Sequence, residues 1–245
     1  MLIMVLLSSC KSTFFQVYKT NSDGVLEANS NVLVFENNDC KVVYNLWEEG
    51  GNVGFKLFNK TNENIYLDLG ESFFILNGEA FDYYKEREYS EKITTGLNKH
   101  KSDRVFALTA QDKSVTFHEI RVVCVPAECS KVINEYHVAT KRYYSCDLNL
   151  YPMNASKVKV VKFTRDNSPY VFSNRITYKV GEHNAVKRIN HEFYVSEISN
   201  HPYTDITYWQ DRDFCGRNLK TRILMMKKGI PTEFYIQYKR TNEKY

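Results

Sequence analysis

The sequence predicts a mainly β protein, an antiparallel β-sandwich of immunoglobulin-like type. Three observations carry that expectation. Tyr (18) and Phe (15) are abundant while Gly (10) and Pro (5) are sparse, and aromatic and β-branched side chains favour the pleated surface of a strand. About a dozen short segments alternate apolar and polar residues with period two, at regular spacing between turn signals. No run of helical period exceeds three turns anywhere in the chain.

Taken in order, residues 11–31 are polar and Asn/Ser-rich and read as a tether. Val32 to Phe35 is the first short strand. Lys41 to Trp47 alternates, with Val42, Tyr44 and Leu46 on one face, and Glu49-Gly-Gly-Asn52 is a turn. Val53, Phe55 and Leu57 resume the pattern. Asn59-Lys-Thr-Asn-Glu-Asn64 has turn chemistry, and its match to an N-glycosylation acceptor is read as part of that turn. Ile65, Leu67 and Leu69 share a face; Phe73 to Leu76 is apolar on both, as a central strand would be. Asn77-Gly78 is the strongest hairpin signal in the chain.

From about 81 to 114 the pattern breaks into a long excursion. Within it Tyr83 to Tyr89 fits either a helical turn or a ribbon, and Glu91 to Arg104 is charged and loop-like. Val115 to Val125 returns to β, and Pro126 ends it. Further strands are expected at 131–138, 142–145, 157–163, 170–180, 188–198, 222–226 and 233–238. Segments 53–78 and 160–181 share a strand–turn–strand rhythm with too few identities to make a repeat. No Pro/Gly/Ser linker interrupts residues 32–240, so one domain is expected there, divisible at most into sub-lobes 32–125 and 126–240.

Net charge is +4, unevenly spread: residues 1–120 carry 12 basic and 17 acidic side chains, residues 121–245 carry 21 and 12. Two complementary halves of one fold account for this; a basic face for anionic lipid or polysaccharide is the alternative. The basic residues are too scattered for a nucleic-acid surface.

Met1 to Leu7 is nearly pure aliphatic but too short to span a bilayer, which needs about 20 apolar residues; it suits the apolar core of a cleaved export signal. Leu7-Ser-Ser-Cys10 resembles the lipobox of bacterial lipoproteins. The resemblance implies a signal peptide at 1–9, cleavage before Cys10 and acylation of Cys10, as with palmitate, so that 10–31 is a lipidated tether. Two or three acyl chains give stable attachment. CDLNLYP (146–152), NSPYVFSN (167–174), FYVSEIS (193–199), FNKTNENIYLDL (58–69) and FFILNG (73–78) resemble a group of lipoproteins from gut Gram-negative anaerobes that carries no known activity. The resemblance implies a β-rich envelope protein. Lys11, where an Asp would signal inner-membrane retention, implies the outer membrane, and the lack of acidic residues just downstream implies its periplasmic side.

Five further cysteines remain, Cys40, Cys124, Cys129, Cys146 and Cys215, an odd number that leaves at least one unpaired. Export permits disulfides. Cys146 and Cys215 both lie in polar, loop-like sequence and form the expected pair, with buried core thiols as the other reading.

Catalytic and metal motifs are missing. The six histidines show no H-E-x-x-H, since His191-Glu192 lacks its second histidine. No G-x-S-x-G nucleophile elbow and no phosphate-cradling glycine loop occurs. Asp211 and Asp213 could pair for glycoside chemistry, but such carboxylates come from separate elements. Neither a metal nor a cofactor is expected. One stretch exceeds structural need: Asn200 to Asn218 gathers Tyr203, Tyr208, Trp209 and Phe214 among charges and amides, the mix of a contact surface. The competing reading packs these aromatics on the end of the sandwich. The expected function is therefore a lipid-anchored, non-catalytic envelope module that binds a partner protein or glycan. The alternative is a lipid-anchored hydrolase with a dispersed active site, which requires two acids or a Cys–His pair to converge in one cleft.

Overall fold

The structure, a computed structural model, describes residues 13–22, 27–29, 32–94, 112–215, 217–227 and 229–240. The expected signal peptide at 1–9, the lipidation site Cys10 and much of the excursion lie outside them.

The first half of the chain supplies β1 (Thr13–Ser22), β2 (Glu27–Asn29), β3 (Val32–Glu36), β4 (Cys40–Tyr44), β5 (Phe55–Asn59) and β6 (Ile65–Asp68). They are followed by β7 (Phe73–Leu76), β8 (Glu79–Asp82), β9 (Glu88–Thr94) and β10 (Asp112–His118). The second half supplies β11 (Val122–Val125), β12 (Ser130–Ile133), β13 (Val160–Lys162), β14 (Val171–Val180) and β15 (Lys187–Pro202). A single helical turn, α1 (Tyr203–Ile206), leads to β16 (Thr207–Phe214), β17 (Arg217–Met226) and β18 (Glu233–Lys239).

The fold is mainly β, and its strand ladders are antiparallel. One sheet runs β11-β6-β14-β15-β1-β18, with β7 and β8 continuing from β14 and β13 added to β15; a second runs β12-β5-β4-β3-β2. Alternation explains the pairing of faces. Cys40, Val42 and Tyr44 of β4 and Phe55 and Leu57 of β5 are buried, as are Ile65 and Leu67 of β6. They meet Phe172, Phe193, Val195 and Phe234 of the larger sheet in one hydrophobic cluster that reaches from Tyr18 to Ile236. Stacked rings mark its centre: Tyr18 on Phe234 at 4.5 Å and Phe172 on Phe193 at 5.1 Å. Each buried ring contributes about 1.5–3 kcal/mol of burial.

The expected tether is corrected in part. Residues 13–22 are β1, hydrogen-bonded between β15 and β18, with Phe14 opposite Pro202 and Thr13 opposite Lys239. Phe14, Phe15, Val17 and Tyr18 are buried, and so is Gln16, whose amide is satisfied inside the fold. Its Nε2 donates to the Tyr143 carbonyl and to Asn200 Oδ1, both at 3.0 Å, while its Oε1 accepts from Tyr18 O–H and Tyr143 N–H. A strand with that polar residue at its middle reads as linker in sequence and is core in fact.

Turn chemistry is local and specific. Asn59 is fully buried; its Nδ2 donates to the Glu63 and Val125 carbonyls and its Oδ1 accepts from Thr61 N–H at 2.9 Å. Asn77 (φ 50) and Gly78 (φ 86) close the β7–β8 hairpin, the two left-handed positions that a two-residue turn of this hand requires.

The excursion is a ribbon at its base: β9 pairs with β10 from Glu88↔His118 to Thr94↔Asp112. Expected strand 115–125 is in fact two, β10 in this ribbon and β11 on β6. The break falls at Glu119, whose carboxylate accepts from the Lys85 and Arg87 backbone N–H groups and from the Arg87 guanidinium, at 2.5 Å to Nη2. Arg87 also reaches Glu135 at 2.9 Å. Residues 142–145, expected as a strand, are irregular, held by the Gln16 bonds to Tyr143.

Candidate functional site

Asn200 to Asn218 is not one long loop. It is the end of β15, the turn α1, and one strand of a two-stranded ribbon, β16–β17, that pairs with no other strand among the described residues. The root of the ribbon is well fixed. Asn200 is buried and donates to the Asn149 carbonyl at 3.0 Å. Thr207 Oγ1 donates to the Tyr203 carbonyl at 2.7 Å. Lys227 Nζ donates to the Thr204 and Asp205 carbonyls at 3.0 and 2.8 Å, placing a cation on the last carbonyls of α1. His201 Nδ1 lies 3.6 Å from Asp205 and its Nε2 is 2.8 Å from Ser199 Oγ. Burial lowers the His201 pKa against the opposing pull of Asp205, so the imidazole serves this root as a neutral, hydrogen-bonded group.

Register decides what the ribbon presents. Trp209 stands opposite Leu224, and Tyr208 opposite Met225 with Gln210 opposite Ile223. Cross-strand partners share a face and neighbours alternate, so Trp209 and Leu224 occupy one face and Tyr208 and Ile223 the other. All four are exposed: Trp209 by 58%, Leu224 by 47%, Tyr208 by 44% and Ile223 by 39%. Tyr203, at the root, is 41% exposed. Asp211 faces Arg222 at 2.6 Å, so the first acid of the suspected pair is committed to an ion pair. A bulge between Asp211 and Asp213 tightens the twist toward the tip, where Phe214 pairs with Arg217.

Four binding residues named from the sequence are thus drawn onto one element, with Tyr203 at its root, Tyr208 and Trp209 on opposite faces and Phe214 at its tip. Sequence reasoning missed their partners Ile223 and Leu224, although the apolar run Ile223–Met226 was visible as a strand. The expected staple is corrected. Cys146 and Cys215 are both free and exposed; Cys215 (φ 51) turns the tip, about 26 Å of strand from Thr207, while Cys146 lies in the irregular segment beside Asn200.

A groove of about 400 Å³ over β6 and β14 is lined by Asp68, Glu71 and Glu182. Asp68 Oδ1 accepts from Gly70 N–H at 3.0 Å, and Glu182 accepts from Tyr66 O–H at 3.2 Å. Glu71 lies 3.9 Å from the Arg121 guanidinium, so each of the three carboxylates faces a structural partner. A second depression, of about 500 Å³, holds Cys146 among Tyr143, Tyr144, Leu148 and Leu150, with no histidine in its lining. Cys40 is buried, and burial pushes its thiol up to about 11, which makes it inert. No group of three His, Cys, Asp or Glu side chains could hold a metal ion among the described residues.

No family model, curated protein or solved structure matches the chain. The site is therefore read from its own chemistry.

Proposed function

We propose that the chain is a lipid-anchored lipoprotein of the outer membrane, facing the periplasm, and that the β16–β17 ribbon is its non-catalytic binding surface. The observation that carries the binding half is the exposure of Trp209, Leu224, Tyr208 and Ile223 on both faces of a ribbon that pairs with no other strand among the described residues. A two-stranded ribbon alone is marginal in water, and each large side chain left in solvent forgoes roughly 2 kcal/mol of burial. A partner that covers one face supplies both the missing support and the missing burial. The aliphatic half of the surface favours a protein over a glycan, because Ile223 and Leu224 offer a sugar no ring to stack on. The hydrolase reading loses ground to the structural engagement of Asp68 and Glu182.

The anchoring half rests on Leu7-Ser-Ser-Cys10. It is compatible with the described residues, where no helix is long and apolar enough to cross a membrane. One experiment addresses both halves. The anchored protein is crosslinked in envelope extracts, and its partners are compared with those of Trp209→Ala/Leu224→Ala and of Cys10→Ser. The double variant is expected to keep its membrane attachment and lose at least roughly tenfold of its captured partner, as truncation of central aromatic contacts does. Cys10→Ser is expected to release the protein from membranes washed in high salt. Undiminished capture by the double variant would refute the binding surface, and continued sedimentation of Cys10→Ser would refute the anchor.

A further inference from the structure

Beside β18 lies an open depression of about 630 Å³, which shares Tyr144 with the Cys146 depression. The strand β18 ends the strand order of its sheet and, among the described strands, pairs with β1 alone, with one further isolated bridge from Tyr235 to Glu49. Its outward backbone groups are used at Tyr235, whose carbonyl accepts from Gly50 N–H at 2.8 Å. Alternation turns the N–H groups of Gln237 and Lys239 out of the same edge, and neither has a backbone partner there among the described residues. They open onto the depression.

Its charge is unbalanced. Lys141, Arg142 and Lys239 line it against one acid, Glu49, and none of the three cations forms an ion pair among the described residues. Arg142 is the organising group. Its Cζ sits 4.7 Å from the Tyr144 ring centre and 4.4 Å from that of Tyr238, and its Nε is buried with no hydrogen-bond partner. The Tyr238 ring is itself pinned by its O–H, which donates to the Leu150 carbonyl at 2.7 Å. A guanidinium held between two rings is a pre-set plate of donors, the form that recognises phosphate oxygens in pairs. The excess positive charge that remains after Glu49 is counted suits a phosphate monoester, which carries about −1.5 to −2 at neutral pH.

We propose that this depression binds a phosphate ester through Arg142, Lys141, Lys239 and the outward N–H groups of β18. Its position names two sources. Lys239 is directly opposite Thr13, and the three residues from Thr13 back to Cys10 span at most about 10 Å, which brings a lipid head group within range of an anchored chain. A free ester is the other source. The phosphate chemistry stands without the lipid anchor; only the head-group source rests on it.

The test uses the full chain carrying Cys10→Ser, so that acylation cannot itself retain the protein. Calorimetric titration with glycerol 1-phosphate forms one arm. Co-sedimentation with phosphatidylcholine vesicles, with and without phosphatidic acid, forms the other. Saturable binding in the first arm assigns a free ester; binding confined to the phosphatidic acid vesicles assigns a head group. In either case Lys141→Gln/Lys239→Gln should weaken binding roughly tenfold, and Glu49→Gln should tighten it. Absence of binding in both arms overturns the proposal. So does wild-type affinity in the lysine double variant at an unchanged melting temperature, or weaker binding by Glu49→Gln.

Discussion

Lowering the pH from 7 to 5 should remove about 2 kcal/mol of stability through one buried side chain, His191. His191 lies on β15 at the centre of the sandwich, 4% exposed. Its Nδ1 is 2.7 Å from the Tyr44 hydroxyl, its ring packs 4.4 Å from that of Phe35, and its Nε2 has no partner. Burial lowers its pKa from 6.5 to about 4. A histidine whose folded pKa is depressed stabilises the fold fully above 6.5, and that contribution is lost as the pH falls, because the unfolded chain takes up the proton first. The loss grows from about 0.2 kcal/mol at pH 7 to about 2 at pH 5 and levels off near 3.4 below pH 4. For a denaturation slope of about 2–3 kcal/mol/M, the pH 5 loss is a drop of roughly 0.7–1 M in the urea midpoint. The assay is urea unfolding at both pH values for the native chain and for His191→Gln, which keeps a hydrogen-bonding group and cannot titrate. The carboxylates Asp39, Glu119 and Glu135, held below their usual range, weaken both proteins alike in acid and cancel in the comparison. If the two proteins lose stability equally between pH 7 and 5, His191 is not buried as a neutral group and the reasoning fails.

Two further outcomes follow from the same physics. Glu119→Gln leaves Arg87 short of a carboxylate at a side chain only 9% exposed, and hydrogen bonds to charged groups are worth about 1.5–3 kcal/mol; calorimetry should show a melting temperature lower by about 3–12 °C, and an unchanged value would mean that Glu119 does not hold the base of the β9–β10 ribbon. Gly78→Ala places a Cβ that meets nothing within 4 Å, at φ +86, so its cost is conformational alone, about 1 kcal/mol or 2–4 °C; a much larger loss would require a packing contact that the hairpin does not have.

Legibility followed the strength of local signals. The hairpin β7–β8 was readable because Asn77-Gly78 admits few conformations, and β4 to β6 because one face is buried and the other is not. The strand β1 was hidden by Gln16 and Thr20, polar residues whose partners, Tyr143, Asn200 and the Thr232 carbonyl, lie more than a hundred residues away. Satisfaction at such distance leaves no trace in local composition. The ribbon β16–β17 was only half readable for the opposite reason. Both faces meet solvent, so alternation carries no information, and a charged aromatic strand looks like a loop. At Glu119 an alternating pattern concealed a break held by the distant Lys85 and Arg87. The surface aromatics were found because their exposure needs no register to be suspected, whereas the Arg142 depression depends on the pairing of β18 with β1 and was invisible.

That pairing has a consequence for how an anchored chain would sit. Antiparallel register sets Thr13 against Lys239 and Phe14 against both Tyr238 and Pro202, and Pro202 leads directly into α1 and the ribbon. The start of β1, the basic end of β18 and the root of β16–β17 therefore meet at one end of the larger sheet, although the sequence scatters them across more than two hundred positions. With only residues 11 and 12 between Cys10 and β1, an acylated Cys10 has no slack to lift the domain from the bilayer. The same short connection that would hold Lys239 and Arg142 near the head groups would set the root of the ribbon beside the membrane, so that the exposed faces of Trp209 and Tyr208 sample partners confined to that surface. Confinement of this kind raises the effective concentration of a membrane-bound partner without any new contact, which suits the binding role proposed for a ribbon that has little intrinsic support of its own.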